Sequence, residues 1–284
     1  TFERIEARGT PRRRALLIHG LVERQTDHDE EVMGPAVRAA WDAEGKPTKA
    51  LLGFCPGRGA GLASVRKVAT PRGEYVAVTV HHAGKPAADV LPALLAALAT
   101  GLSFPKTMRW LADDTRFARP VRWLVALLDD QVLPVRAFGL EAGRDSRGHR
   151  FLSPGPVAIP SARDYLDTLR AVHVAASHHE RGRAVAAQVA KLAAERGGRV
   201  VADEELVEIN DFLVEWPTAF AGSFDAHYLD LPRDVIVTAL REHQRFFALE
   251  DATGRLLPAF IAVRNGDARG IENVVKGNQD VLIA

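Results

Sequence analysis

The sequence predicts an α+β protein. Three observations carry this reading: hairpin signals and helical periods fall in separate blocks, no strand–helix–strand rhythm recurs, and no internal repeat or low-complexity linker interrupts the chain. With 284 residues, 47% of them hydrophobic, the chain can bury a sizeable core. It reads as one composite body over residues 1–284 with a mainly helical insert at about 160–215.

The elements follow in order. Arg14–Val22 is a short apolar run behind a basic cluster and reads as a strand. Gly34-Pro35 breaks the chain, and Ala36–Ala43 reads as a short helix ended by Gly45. Lys67–Val80 reads as a hairpin about the turn Thr70-Pro71-Arg72-Gly73. Asp89–Ala99 is an apolar helix. Val121–Leu128 and Val132–Phe138 flank Asp129-Asp130 as a second hairpin. Tyr165–Val174 and Arg181–Arg196 are helices, the second capped by Gly197-Gly198. Glu204–Glu215 places Leu206, Ile209 and Leu213 on one helical face and should end before Pro217. Thr218–Phe224 is strand-like, and Pro232–Leu240 starts a helix with Pro in its first turn. Phe246–Leu249 and Leu256–Val263 flank Asp251–Gly254 as a third hairpin.

Charge narrows the function classes. The 37 basic and 36 acidic residues leave a formal +1, which argues against a strongly cationic nucleic-acid clamp and against a disordered polyelectrolyte. Arg supplies 30 of the 37 basic residues. Its planar guanidinium suits phosphate and interface recognition, although a GC-rich genome would produce the same bias. Residues 201–230 carry eight acids and no Lys or Arg, a poor surface for an RNA backbone. The lone Cys55 cannot form an internal disulfide, so a reducing compartment is expected. No apolar run approaches the ~20 residues of a membrane span. No signal peptide is recognisable, and a chain opening on Thr1-Phe2-Glu3 and closing on Ile283-Ala284 suggests a fragment.

Generic chemistry finds little support. His81-His82 and His178-His179 are adjacent pairs whose side chains diverge, with no further ligand at metal-binding spacing and no CxxC. Gly57-Arg58-Gly59-Ala60-Gly61 is glycine-rich but lacks the following GKS or GKT of a phosphate loop, and reads as a surface loop. Cys55 beside it reads as a small apolar residue rather than a nucleophile. There is no GxSxG elbow.

Three segments stand out. Phe104-Pro105-Lys106-Thr107-Met108-Arg109-Trp110 and Phe117-Ala118-Arg119-Pro120-Val121-Arg122-Trp123 interleave cations with aromatics. Such pairs can hold RNA bases or phosphates, or they can be core indoles whose Arg neighbours pair with Asp113, Asp114 and other acids. Arg144-Asp145-Ser146-Arg147-Gly148-His149-Arg150-Phe151 is a compact cationic loop, fit for an anion or for a structural Arg–Asp network.

Ordered blocks across nearly the whole chain carry a more specific signal. They are Thr10-Pro11-Arg12-Arg13, Gly34-Pro35, Asp42-Ala43-Glu44-Gly45-Lys46-Pro47-Thr48-Lys49-Ala50, Phe104-Pro105-Lys106 with Met108-Arg109-Trp110, and Phe117 with Arg119-Pro120-Val121-Arg122. Arg147-Gly148-His149-Arg150-Phe151, Leu213-Val214-Glu215-Trp216-Pro217, His243-Gln244 with Phe247, Gly254-Arg255-Leu256-Leu257-Pro258 with Phe260-Ile261, and Gly277-Asn278 follow. In order and spacing the chain resembles the beta subunit of the bacterial heterotetrameric glycyl-tRNA synthetase. It departs from the family's pattern at Gln279, where Glu is usual after Gly-Asn. The resemblance implies that the family's amino-terminal Glu-Leu-Pro-Pro stretch would precede Thr1 and that its HD-like and anticodon-binding domains would follow Ala284, so that these residues are expected to be the front part of the subunit.

The resemblance implies a cytoplasmic alpha2beta2 ligase. In it the alpha subunit carries the class II core that binds ATP with Mg and forms glycyl-adenylate, while the beta subunit recognises tRNA-Gly. A front part of the beta subunit would then be non-catalytic and hold no cofactor of its own. Its fold would resemble the editing-type module of the phenylalanyl-tRNA synthetase beta chain, a likeness that does not transfer activity. Glu242-His243-Gln244-Arg245-Phe246 superficially resembles an ATP-clamping Arg motif but lies on a predicted helix end. The residues expected at RNA or at the subunit interface are Arg12, Arg13, Lys106, Arg109, Arg119, Arg122, Arg147, His149 and Arg150. Two other readings stay open: a scaffold whose Arg–aromatic blocks are wholly internal, and a hydrolytic editing module using His149 as base.

Overall fold

A computed structural model describes residues 1–42, 44–55, 57, 59, 61–111 and 114–283. Ala43 at the end of the first predicted helix, Arg58 and Ala60 of the glycine-rich run, and Asp113 lie outside the described residues. The chain divides into two compact units, one of Thr1 with Leu21–Leu94 and one of Phe2–Gly20 with Leu95–Ala284.

The larger unit opens with a hairpin, β1 (Arg4–Thr10) and β2 (Arg13–His19), registered from Arg4 opposite His19 to Thr10 opposite Arg13. The first strand carries too little apolar alternation to declare itself in the sequence; its pairing with β2 makes it a strand.

The smaller unit holds a three-stranded antiparallel sheet ordered β3 (His28–Ala36), β5 (Gly73–His82), β4 (Arg66–Thr70). The hairpin predicted at Lys67–Val80 is β4–β5, closed at Thr70 opposite Gly73, where φ is +121° and only glycine is at ease. Helices α1 (Val37–Ala40) and α2 (Lys49–Phe54) contribute Ala40 and Leu51 to a core completed by Cys55, Val76 and Val78. Cys55 is buried there as a small apolar side chain. His81 and His82 take Asp29 (2.8 Å) and Glu30 (3.0 Å) from β3. Helix α3 (Ala87–Thr100) carries the boundary between the units.

In the larger unit, the middle of the chain is a series of short antiparallel ladders. β6 (Met108–Arg109) pairs β7 (Arg116–Phe117), and β8 (Leu127–Leu128) pairs β9 (Gln131–Val132) about Asp129. β10 (Arg136–Ala137) pairs β11 (Leu140–Glu141), and β12 (Asp145–Arg147) pairs β13 (Pro156–Ala158). The apolar runs at 121–128 and 132–138 therefore form only a two-residue ladder where a long hairpin was predicted. A separate core of Ile159, Leu169, Val174 and Ala176 lies beneath, with α4 (Tyr165–Ala171) packed into it.

The largest sheet is antiparallel and ordered β14 (Arg199–Val200), β16 (Phe247–Glu250), β17 (Leu256–Asn265), β15 (Pro217–Ser223). Alternation sorts its side chains to two faces. Phe247, Leu249, Ala259 and Ile261 pack with Val185, Val189 and Ala193 of α5 (His178–Glu195) and Leu206 of α6 (Glu204–Asp211). Phe220, Phe246, Ala248, Phe260 and Ala262 pack with Ile236 of α7 (Arg233–Thr238) and with Ile271, Val274 and Val275 of α8 (Ile271–Ile283). Helices cover both faces, which is why β17 reads as a continuous apolar run. The predicted 160–215 insert is built into this body, since β14 is an edge strand of the sheet and α5 packs against it.

Two helix ends differ from expectation. The helix expected to reach Glu215 stops at Asp211, because the amides of Glu215 and Trp216 donate to the Asn265 side chain instead (2.8 and 3.1 Å). After α7 the chain widens into a π-helical turn, Ala239–Gln244, which closes on Arg245 at φ +59°. Glu242–Phe246 thus ends a helical turn, as the sequence indicates, with the Arg245 carbonyl held by Asn210 (3.1 Å).

Candidate nucleic-acid interface

One buried carboxylate organises the charged residues of the larger unit. Glu215 lies on the turn that α6 gives up, between apolar Val214 and Trp216. It accepts hydrogen bonds from Thr10 Oγ1 (2.8 Å), Arg12 Nη1 (3.1 Å) and Arg13 Nε (3.1 Å), with Arg13 Nη2 3.0 Å away. Both guanidiniums also lie over the Trp123 ring, 5.9 and 5.8 Å from its centroid. Burial lowers the Arg13 guanidinium from its ordinary value, against the opposing pull of Glu215. Burial likewise raises the phenol of neighbouring Tyr165.

This frame carries the loop between β12 and β13. Arg13 Nη1 donates to the Arg147 carbonyl (2.9 Å) and Arg12 Nη1 to that of Gly148 (3.4 Å). His149, the next residue, is fully buried. Its Nδ1 accepts the amides of Phe151 (3.3 Å) and Leu152 (3.2 Å), which places the ring proton on Nε2, donated to Asn265 Oδ1 (2.9 Å). Asn265 Oδ1 also receives the two backbone amides of Glu215 and Trp216, which fixes it as the oxygen. Gly148 is required here, since a Cβ would stand 2.1 Å from the Ser153 carbonyl oxygen.

The nine residues expected at RNA or at a partner subunit therefore separate. Arg13 and His149 are buried and hydrogen-bonded inside the fold, and Arg12 is half-buried against Glu215, so these three turn their polar atoms inward. Lone like charges in a sequence do not reveal the carboxylate that a fold brings to them from 200 residues away. Arg109 is exposed and lies 3.5 Å from Asp114. Lys106, Arg119, Arg122, Arg147 and Arg150 are exposed and make no ion pair among the described residues. Arg122, Arg147 and Arg150 belong to the segments that meet around Arg13. Lys106 and Arg119 flank the aromatic cluster of Phe104, Phe117 and Phe138, which Arg14 covers at 4.8 Å from the Phe104 centroid. Neighbours on a strand point to opposite sides, so Arg13 and Arg14 tie the two segments to the two faces of β2. Trp110 is not a core indole: it is exposed and donates Nε1 to the Phe117 carbonyl (2.9 Å).

Several carboxylates of the acid-rich stretch 201–230 are used internally. Asp203 and Glu205 bind Arg241, and Asp211 lies against buried Arg181. Arg181 donates Nε to the Asp211 carbonyl (2.9 Å) and Nη1 to that of Ala175 (2.6 Å). Glu215 and Asn265, the centre of the frame, are not among the nine expected contact residues, although Glu215 falls in one of the ordered blocks. An isolated acid inside Leu213-Val214-Glu215-Trp216 was the available signal for the first.

Comparisons with known proteins agree over the full length. The family model described as glycyl-tRNA synthetase beta subunit matches residues 1–284. The glycine–tRNA ligase beta subunit of Moorella thermoacetica is 45% identical over 282 residues, covering 99% of this chain and 41% of that protein. The corresponding protein of Limosilactobacillus reuteri is 47% identical over 283 residues, with 100% and 41% covered. That of Syntrophus aciditrophicus is 41% identical over 283 residues, again with 100% and 41% covered. The chain thus spans about two fifths of the length of these relatives. Matched from its first residue to its last, the chain belongs to the glycyl-tRNA synthetase beta subunit family.

Proposed function

We propose that this chain is a tRNA-holding part of a glycine–tRNA ligase beta subunit. It works in the cytoplasm in an alpha2beta2 complex, whose alpha subunit binds ATP with Mg and makes and transfers the glycyl group. The observation that carries this reading is the set of exposed cations at Lys106, Arg119, Arg122, Arg147 and Arg150, without carboxylate partners among the described residues, of which Arg122, Arg147 and Arg150 lie on segments held by the buried Glu215 frame. Guanidiniums held this way match phosphate oxygens, and a formal +1 overall means that any RNA contact is a local patch. Holding the tRNA still replaces a bimolecular encounter by an oriented one, worth up to several kcal/mol of barrier. On this reading the α+β body shares the architecture of the editing-type module of the phenylalanyl-tRNA synthetase beta chain without its hydrolysis, since the enclosed His149 offers no free base.

Binding of tRNA-Gly by the full-length beta chain assembled with its alpha subunit, titrated from about 50 to 300 mM salt, tests it. The Arg147→Ala/Arg150→Ala variant should bind more weakly, with a salt slope smaller by about 1–2, and should charge tRNA more slowly. An unchanged slope and unchanged charging would overturn it.

A further inference from the structure

The loop joining β12 to β13 carries a side chain that the charge frame does not explain. Phe151 is 76% exposed, more than any other large apolar side chain among the described residues. Leaving such a ring in water forgoes the gain that burial of an aromatic side chain brings. The backbone beneath it is not a loose tip. The Phe151 and Leu152 amides are both taken by His149 Nδ1, and Ser153 N donates to the His149 carbonyl (3.0 Å). Gly148 N closes the loop on the Gly155 carbonyl (3.2 Å), and His149 N is tied to Val172 (3.0 Å). The ring is therefore presented on a pinned backbone, so little ordering entropy remains to be lost when something covers it.

Its surroundings say what would cover it. Arg147 and Arg150, in the same loop, are exposed and without ion pairs among the described residues. On this loop Phe151 is the only exposed large apolar side chain among the described residues, and its exposed neighbours there are cations rather than the further apolar side chains on which a protein interface centres. A flat aromatic face on the same loop as two delocalised cations fits a flat base with its neighbouring phosphates. Bases in an RNA duplex are already stacked and offer no free face, whereas an unpaired base does. We propose that Phe151 is a stacking platform for an unpaired nucleobase of a single-stranded RNA segment, with Arg147 and Arg150 on the adjoining phosphates. The proposal rests on the tRNA-holding reading and adds which kind of RNA segment is bound, and by which uncharged side chain.

The test uses the full-length beta chain assembled with its alpha subunit. The probes are tRNA-Gly, an unstructured single-stranded RNA and an RNA duplex of equal length. Phe151→Leu keeps an apolar side chain and removes the π face; Phe151→Trp keeps the face. Stacking of one base implies that Phe151→Leu weakens single-strand binding about ten- to a hundredfold. Phe151→Trp should bind like the parent, and duplex binding should change less than about twofold in both variants. Three results would overturn the proposal: single-strand binding unchanged in Phe151→Leu, both probes weakened equally, or loss of alpha-subunit association with RNA binding intact. If the parent complex binds tRNA-Gly in a salt-dependent way while Phe151→Leu changes nothing, the platform alone is wrong. If the parent complex binds none of the three RNAs, the tRNA-holding reading falls and the platform with it.

Discussion

Glu215 and Arg13 stand 202 residues apart in the chain and meet as a buried pair, Oε1 3.1 Å from Nε. The pair joins the amino-terminal hairpin to the segment that leads into the large helix-covered sheet of the same unit, and through the Arg147 carbonyl it holds the candidate RNA loop.

Removing one side of this pair strands the other. Glu215→Ala leaves Arg13 buried without its counter-charge and frees the Thr10 hydroxyl. The expected cost is about 3–5 kcal/mol, against a smaller loss when Arg13 and Glu215 are replaced together by apolar residues of similar volume, which removes the stranded charge but still unpairs Thr10 and the Arg147 carbonyl. Denaturant unfolding of the full-length protein and of both variants measures it.

His149 acts by filling space and satisfying amides. His149→Ala opens a cavity, leaves the Phe151 and Leu152 amides without a partner and takes one of three donors from Asn265 Oδ1, at a cost of about 2–4 kcal/mol. The same measurement reads this loss. Incubation of the parent protein with mischarged alanyl-tRNA-Gly should show no deacylation above background; a His149-dependent hydrolysis would contradict the structural role.

Asp211 should give the folded state an inverted pH dependence. Burial pushes its carboxyl up to about 6 from 3.8, although Arg181 pulls the other way. Below about pH 4 both folded and unfolded chains carry the proton, and this group's contribution is complete. As pH rises through about 6 the unfolded chain ionises more readily than the folded one, and the contribution is lost. Asp203 and Glu250, held below their ordinary values, act in the opposite sense. The difference between parent and Asp211→Asn isolates the effect: parent stability relative to the variant should decline between about pH 4 and 6 and level off above. A flat difference would show that Asp211 is not raised.

Gly148 closes the loop by close approach. Gly148→Ala would press a methyl group against the Ser153 carbonyl oxygen, 2.1 Å away, and the backbone must yield. The expected outcome is a loss of about 1–3 kcal/mol and faster hydrogen exchange at the Phe151 and Leu152 amides, read by mass spectrometry.

Several elements were legible because their cause is local. The Thr70–Gly73 turn sets the β4–β5 hairpin, and the apolar periods of α5 and α6 show as helices, although the Ser177 cap starts α5 at His178, three residues before the expected Arg181. β16 and β17 show as apolar runs about a turn whose Gly254 sits at φ +85°. β1 was not legible, because it depends on a partner strand rather than on its own alternation. The end of α6 was not legible either, because Asn265, fifty residues on, outbids the helix for the Glu215 amide.

The candidate site divides in the same way. The sequence by itself determined that the chain is an assembly of hairpins and helices, that cations cluster with aromatics at 104–123 and 144–151, and that the ordered blocks are those of one family. Only the tertiary structure decided which cations are free. Arg12 and Arg13 look identical to Arg147 and Arg150 along the chain, yet the first two face a buried carboxylate and the last two face water. Charge is a property of the residue, whereas its neutralisation is a property of whatever the fold places within about 4 Å of it, and that partner can lie anywhere in the chain.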